Sequence, residues 1–323
     1  MTVASQPKVK KTLGTCAYSA IQKHLKKTLK WETTVQKDKD PEALHQMRVG
    51  MRRLRTAVTR FQPALQLPKS ASDKKIGKIA RCLGNLRDLD VLKDTLENLD
   101  RSDLPRKEHQ FLQKALDDLS EQREEALDDV RATFKGERYK SLKSSMKEWL
   151  EKPSYQPLAS LPIEQVLPDL LLPEVSQFLL HPGWLVGTKL LGTEIVVSRD
   201  WDSQRVEQQL QTSGDILHSL RKQAKRLRYQ MELFTDMYGE SYMACITEVK
   251  AVQEILGAIQ DSVVLGEWLV STLKSKIHIH LPTLANQLAE NRYQWWQQWQ
   301  PLQERYLKAE TRHRFHLTMI HPI

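Results

Sequence analysis

Apolar residues recur along most of the chain at intervals of three and four, the spacing that gives an α-helix one buried face. The pattern predicts a first helix within residues 13–35. A second begins at Asp40-Pro41-Glu42, where an acid can cap the helix and proline sits at the first helical position. It is expected to reach about residue 65 and to stop before Pro68. Further helices are expected at 71–99, 105–135 and 138–150. Residues 152–182 carry prolines at 153, 157, 162, 168, 173 and 182, which predicts a connector with short helical pieces. Thr193-Glu-Ile-Val-Val-Ser198 is the one strand-like run. Helical periodicity resumes near residue 215 and predicts long helices at 215–237, 241–275 and 282–316. The tip of the lysine-rich segment 1–31, which contains no acid, is expected to be disordered.

Composition narrows this picture without changing it. A chain of 323 residues with 40% hydrophobic and 28% charged residues can bury a real core and is not a disordered polymer. Its 12 Gly and 14 Pro argue against turn-rich all-β and fibrous classes. Cys16, Cys82 and Cys245 are odd in number, far apart and form no CxxC pair, which suggests a reducing compartment. The start lacks a secretory core and no apolar run reaches the length of a membrane span, so a cytoplasmic protein is expected. A net charge of +9 fits nucleic acid, another polyanion, an anionic membrane surface or nothing in particular. Its meaning depends on where the charges sit.

The most informative feature is a self-match. His45-Gln-Met-Arg-Val-Gly-Met-Arg-Arg-Leu-Arg55 resembles His218-Ser-Leu-Arg-Lys-Gln-Ala-Lys-Arg-Leu-Arg228 at a shift of 173 residues. The same shift relates Phe61 to Phe234, Leu83-Gly84 to Leu256-Gly257, Asp88 to Asp261 and Val91-Leu92 to Val264-Leu265. One offset holding across two separated motifs predicts an internal duplication divided in the proline-rich connector. The first half is expected at about 13–151, the connector at 152–167 and the second half at 168–316.

Helix geometry sorts the repeated charges. With His45 at 0° and about 100° per residue, Arg48, Arg52 and Arg55 fall at roughly 300°, 340° and 280°. Leu44, Met47, Met51, Leu54, Val58 and Phe61 form an apolar arc at roughly 160–260° on the same scale. His218, Arg221, Lys225 and Arg228 repeat the stripe, with Leu217, Leu220, Ala224, Leu227, Met231 and Phe234 as its arc. Arg53 and Arg226 lie apart. In the first half only, Lys74, Lys78, Arg81, Asn85 and Asp88 add a second face at spacings of three and four. The matching positions are Thr247, Ala251, Glu254, Ala258 and Asp261.

A basic helix face is most often simply solvated. Here residues 43–72 contain no acid at all and the stripe recurs in the second copy. Like charges three and four apart repel mildly, so their retention in both copies points to an anionic ligand. His45 and His218 suit hydrogen-bond donation to an oxyanion, and the surrounding Arg argues against a metal there. Asp88 and Asp261 are expected to orient an Arg by two-pronged pairing. The Trp-rich end is expected to be packing material. No P-loop, GxGxxG, HExxH, GxSxG or paired-Cys metal signature occurs.

His45-x-x-Arg48-x-x-x-Arg52-Arg53-Leu54-Arg55, followed by Leu83-Gly84-x-x-Arg87-Asp88-x-x-Val91-Leu92, resembles the CHAD family, the conserved-histidine α-helical domain. His218-x-x-Arg221-x-x-x-Lys225-Arg226-Leu227-Arg228-Tyr229 with Leu256-Gly257-x-x-x-Asp261-x-x-Val264-Leu265 is similar to that family's second half. The resemblance covers roughly 13–316. It implies an all-α fold of two four-helix bundles related by a pseudo-twofold axis, with basic helices facing a central cleft. It also implies binding of inorganic polyphosphate, association with polyphosphate granules, no catalysis and no cofactor. The implied ligand residues are His45, Arg48, Arg52, Arg53, Arg55, Lys74, Lys78, Arg81, His218, Arg221, Lys222, Lys225, Arg226 and Arg228. The ExExK signature of the triphosphatase domain fused to some relatives is absent. Residues near 182–210 look inserted, which places the first helix of the second half at 168–180, ahead of them. Alternatives remain: an RNA-binding module, a phosphohydrolase, a scaffold for an acidic partner, or an accessory regulator of polyphosphate-metabolising enzymes. Nucleic acid fits less well because the stripes hold no stacking aromatics, Tyr229 being the nearest exception.

Overall fold

A computed structural model describes residues 11–99 and 101–323 of the chain. The expectation for the extreme N-terminal tip lies outside the described residues. The fold is all-α apart from one small hairpin. The helices are α1 (Leu13–Lys30), α2 (Glu32–Lys37), α3 (Pro41–Arg60), α4 (Asp73–Glu97), α5 (Arg106–Lys135), α6 (Glu137–Glu151), α7 (Ile163–Leu179), α8 (Ser203–Met231), α9 (Glu240–Leu273), α10 (Ile277–His280), α11 (Pro282–Leu307) and α12 (Ala309–Ile320). Two strands, β1 (Thr188–Leu191) and β2 (Glu194–Val197), pair antiparallel with Thr188 opposite Val197.

The described chain divides into two compact units. One holds residues up to Asn85, Asp128–Leu170 and the last two residues; the other holds Leu86–Leu127 and Leu171–His321. Helices α4 and α5 thus each contribute to both.

In the first unit, Asp40 caps α3 by accepting from the Glu42 amide at 2.9 Å, and Pro41 occupies the first turn. The apolar arc of α3 is buried throughout, with Met47, Met51 and Leu54 at 1% exposure or less. Helix α1 lies against α3 at Gly50, where an added Cβ would come 2.7 Å from Thr28 Oγ1. The start of α1 is fastened to the connector by the Leu13 amide donating to the Leu161 carbonyl and the Ile163 amide donating to the Lys11 carbonyl. Helix α3 ends at Arg60, earlier than the pattern predicts, and a 3-10 turn follows at Gln62–Ala64. Pro63, with no amide hydrogen and a fixed φ, suits that turn better than a helix interior.

The second unit has two cores. Leucines 96, 112, 119, 265, 269, 284 and 288 form one. An aromatic core joins Phe178, Trp184, Trp299 and Tyr306 through ring contacts of 4.5–5.3 Å. The Gln- and Trp-rich helix α11 is packing material, as expected, since Trp296 and Trp299 are buried. It also holds the inserted segment. Gln303 Nε2 donates to the carbonyls of Trp184 and Val186, and Gln300 Nε2 to that of Ser198. Gly187, at φ +78°, lies under the Trp296 ring, where a Cβ would meet it at 2.7 Å.

Three expectations are corrected. The helix expected at 168–180 starts earlier, since α7 begins at Ile163 and runs through Pro168 and Pro173. Helix α8 begins at Ser203, capped by Asp202 accepting from the Arg205 amide, a dozen residues before the pattern predicts. The predicted last helix is two, because Lys308 adopts an extended conformation at ψ 137°. Among the described residues, no helix is long and apolar enough to cross a membrane.

Candidate anion-binding faces

The first unit carries its cations along the seam between α3 and α4. Arg48 Nη1 donates to the carbonyls of Leu83 at 3.2 Å and Gly84 at 2.5 Å. A Cβ on Gly84 would lie 3.2 Å from that nitrogen, so glycine lets the guanidinium lie flat on α4. Two turns further along α3, past Arg52, Arg55 grips the Asp73 carboxylate with Nε at 2.5 Å and Nη2 at 3.1 Å. It also rests over Gly77.

These contacts fix which sides of the helices meet. Counting roughly 100° per residue from Gly77, the line touched by α3 runs through Asp73, Gly77 and Gly84. Ile76, Ile79 and Leu83 fall to one side and are buried. Lys74, Lys78 and Arg81 fall to the other side and are exposed. On α3 the apolar arc lies on the buried side of Arg48 and Arg55, while His45 and Arg52 lie on the solvent side by the same count. His45, Arg52, Lys74, Lys78 and Arg81 therefore border the solvent side of one seam. Lys74, Lys78 and Arg81 make no ion pair among the described residues.

Arg53 serves another contact, as its off-stripe angle suggests. Its charge bears on His24, buried on α1, whose imidazole is lowered to about 4 by burial first and by Arg53, Lys23 and Lys27 after it. Tucked under these cations, His24 stays neutral near pH 7.

The second unit repeats the seam between α8 and α9. Arg221 lies over Gly257, where a Cβ would sit 3.2 Å from Nε. Arg48 with Gly84 and Arg221 with Gly257 are separated by the same 36 residues. The turns after the two stripe helices obey the long offset too, at Gln62–Ala64 and Thr235–Met237. Phe61 and Phe234 are both buried at 1% exposure.

The charges differ. Arg221 Nη2 meets Asp261 Oδ1 at 3.3 Å, one contact rather than the two-pronged pair expected. Burial pushes the Asp261 carboxyl up; Arg221 and Lys225 pull it back down, while Asp88 pushes it further up. Asp88 and Asp261 thus sense one another within the same unit. Burial lowers the His218 imidazole, and Lys222 and Arg221 lower it further, against Asp215 and Asp261. Arg228 donates to Gln253 Oε1 at 2.9 Å and Glu232 Oε1 at 2.8 Å and stacks over Tyr229. Lys222 and Arg226 are exposed on α8 without an ion pair among the described residues. On α9, Glu254 occupies the place of Arg81 and pairs with Lys250.

The sequence missed Asp73 and Gly77, since nothing marks residues 18 and 22 positions beyond Arg55 as its partners. Among the described residues, no group of three or more His, Cys, Asp or Glu is placed to hold a metal.

The CHAD domain family model matches residues 19–270, most of the chain, and spans both stripes and both seams. The chain belongs to the CHAD family. A CHAD-domain crystal structure from the plant Ricinus communis is similar, with a TM-score of 0.63 and 22% identity, covering 99% of this chain and 96% of that one. PptA from Streptomyces chartreusis is also similar, with a TM-score of 0.55 and 14% identity over 95% of this chain and 99% of that one. At these identities the likeness establishes the CHAD fold alone. No curated protein matches the chain.

Proposed function

We propose that this CHAD protein binds inorganic polyphosphate through its paired basic helix faces and does no chemistry on it. The observation that carries the reading is the unpaired, exposed trio Lys74, Lys78 and Arg81 beside Arg52 on one seam. Linear polyphosphate offers dense, evenly spaced oxyanions and no bases. Lys supplies point charges to such a chain and Arg can fork two oxygens at once. Arg48 and Arg221, leaning on backbone and on glycine, are held in place before the ligand arrives, which lowers the ordering cost of binding. Helices α3 and α4 contain no aromatic residue, and Tyr229, under Arg228, is buried, which favours a base-free polyanion over RNA. Such binding would carry the protein to polyphosphate granules and to the enzymes that make or degrade the polymer.

The test is titration with polyphosphates of several lengths at two salt concentrations. Binding should weaken steeply with salt as counterions are retained by the free polymer. RNA at equal phosphate concentration should fail to displace it. Displacement by RNA would favour the nucleic-acid reading, and metal-dependent phosphate release by the pure protein would overturn the claim of no catalysis.

A further inference from the structure

A second feature, of opposite charge, lies in the second unit, beside the end of the stripe that His218 begins. Helices α8, α9, α10 and α11 line a half-open cavity of about 610 Å³, within the range of small-molecule sites. Leu210, Leu217, Leu256, Ile259, Val263 and Val270 supply apolar wall. Its ionic groups are Glu207, Asp215, Glu267 and Arg292, with His218 and His278 beside them.

Arg292 is already satisfied. Its Nε and Nη2 grip both Glu207 oxygens at 2.7 Å and its Nη1 donates to Ser262 at 3.0 Å. That pair neutralises itself. Asp215 and Glu267 stand exposed at its rim and form no ion pair among the described residues. The cavity is therefore negative in a chain of net charge +9. An anion would find only a saturated guanidinium there.

Two glycines add an independent observation. Gly214 and Gly266 lie inside long helices and line the cavity, and an added Cβ at either would meet nothing within 4 Å. No turn, left-handed backbone or close helix approach calls for them. Glycine is a poor helix former, so its use there keeps the cavity wide at a cost to the helices.

We infer that this cavity binds an aliphatic ammonium compound, its methylenes against the Leu, Ile and Val wall and its ammonium groups at Asp215 and Glu267. The inference does not rest on the polyphosphate reading. It is tested by calorimetric titration of the full chain with 1,6-diaminohexane and spermidine, with hexanoate and hexanol as controls. Saturable one-to-one binding of the diamine is expected, with hexanoate silent and hexanol far weaker. Glu267→Gln combined with Asp215→Asn should weaken the diamine at least tenfold. Gly266→Leu should fill the space and abolish binding while circular dichroism stays helical; should that variant not fold, Gly214→Leu takes its place beside the charge variant. Equal binding of hexanol or hexanoate, no saturable heat with either amine, or undiminished binding in the filled and neutralised variants would overturn the assignment.

Discussion

The α3–α4 seam and the α8–α9 seam are built alike and charged differently. In both, an arginine lies over a glycine of the neighbouring helix, an apolar arc is buried on one side, and a phenylalanine closes the helix end. The positions beyond the seam then diverge. Lys74, Lys78 and Arg81 stand exposed in the first, where the second has Thr247, Ala251 and Glu254. Asp261 is drawn onto Arg221 in the second. The difference teaches that packing and ligand charge are carried by separate positions. The arcs and the glycines make the helices fit; the flanking face is available to set the field. Like charges on such a face cost little in folding, so they can be added to or removed from one copy alone.

The largest effect should come from breaking the stronger face. Lys74→Ala, Lys78→Ala and Arg81→Ala together are expected to weaken polyphosphate binding about 100-fold, at roughly 1 kcal/mol per exposed cation and phosphate contact. The salt dependence should flatten in the same variant, because fewer counterions are released. On the second seam, Lys222→Ala, Lys225→Ala and Arg226→Ala together should cost only about tenfold, at roughly half a kcal/mol per charge, because the α9 face beside them adds no such row of cations. Affinity measured at two salt concentrations checks both, with circular dichroism to confirm helicity. Equal losses from the two triples would show that the asymmetry has no functional meaning.

Much of this was legible in the sequence, and the limits have physical causes. The stripe, its apolar arc and the shift of 173 residues follow from local periodicity, which one helix obeys residue by residue. The glycine contacts could be suspected from Leu83-Gly84 and Leu256-Gly257 but not assigned to Arg48 and Arg221, since a glycine's neighbour is set by tertiary packing. Whether a cation is spent inside the fold was not legible. Arg55 reads as one more cation of the stripe, yet its charge is answered by Asp73 from the next helix. Proline misplaced only the start of α7, which begins at Ile163 and carries Pro168 within it; tertiary packing can outweigh such local preferences. The start of α8 was missed because Gln208, Gln209 and Gln211 dilute its apolar face. The break at Lys308 has no sequence signal of its own, since no proline or glycine marks it.

An intermediate effect is expected from equalising the seams. Thr247→Lys, Ala251→Lys and Glu254→Arg would give α9 the face that α4 already has. The side chains at 247 and 254 are exposed, so stability should change by no more than about 0.5 kcal/mol per site. Polyphosphate affinity should rise about tenfold at low salt, at roughly half a kcal/mol per substituted site. Its salt dependence should become steeper. Unchanged affinity in a folded variant would mean that this side of the second seam does not meet the ligand.

The smallest effect is a matter of pH. His218 begins the second stripe, and burial with Lys222 and Arg221 holds its imidazole below the ordinary value of 6.5. It is therefore neutral at pH 7 and gains its charge only on acidification. A bound polyanion favours the charged form, so binding takes up a proton at this site, and affinity must rise as the pH falls through and below 6.5. Asp261 works in the same direction at lower pH. Its carboxyl is pushed above the ordinary range, so it loses its negative charge sooner than a free aspartate and releases Arg221 to the ligand. The expected gain between pH 7.5 and 5.5 is about two- to fivefold, the scale of one partly titrated group. Because polyphosphate end groups titrate as well, the informative quantity is the difference between wild type and His218→Ala. That difference should shrink toward neutral pH and grow on the acid side. A constant ratio between the two proteins over the whole range would place His218 outside the contact, leaving Arg221 and Lys225 as the working charges of the second seam.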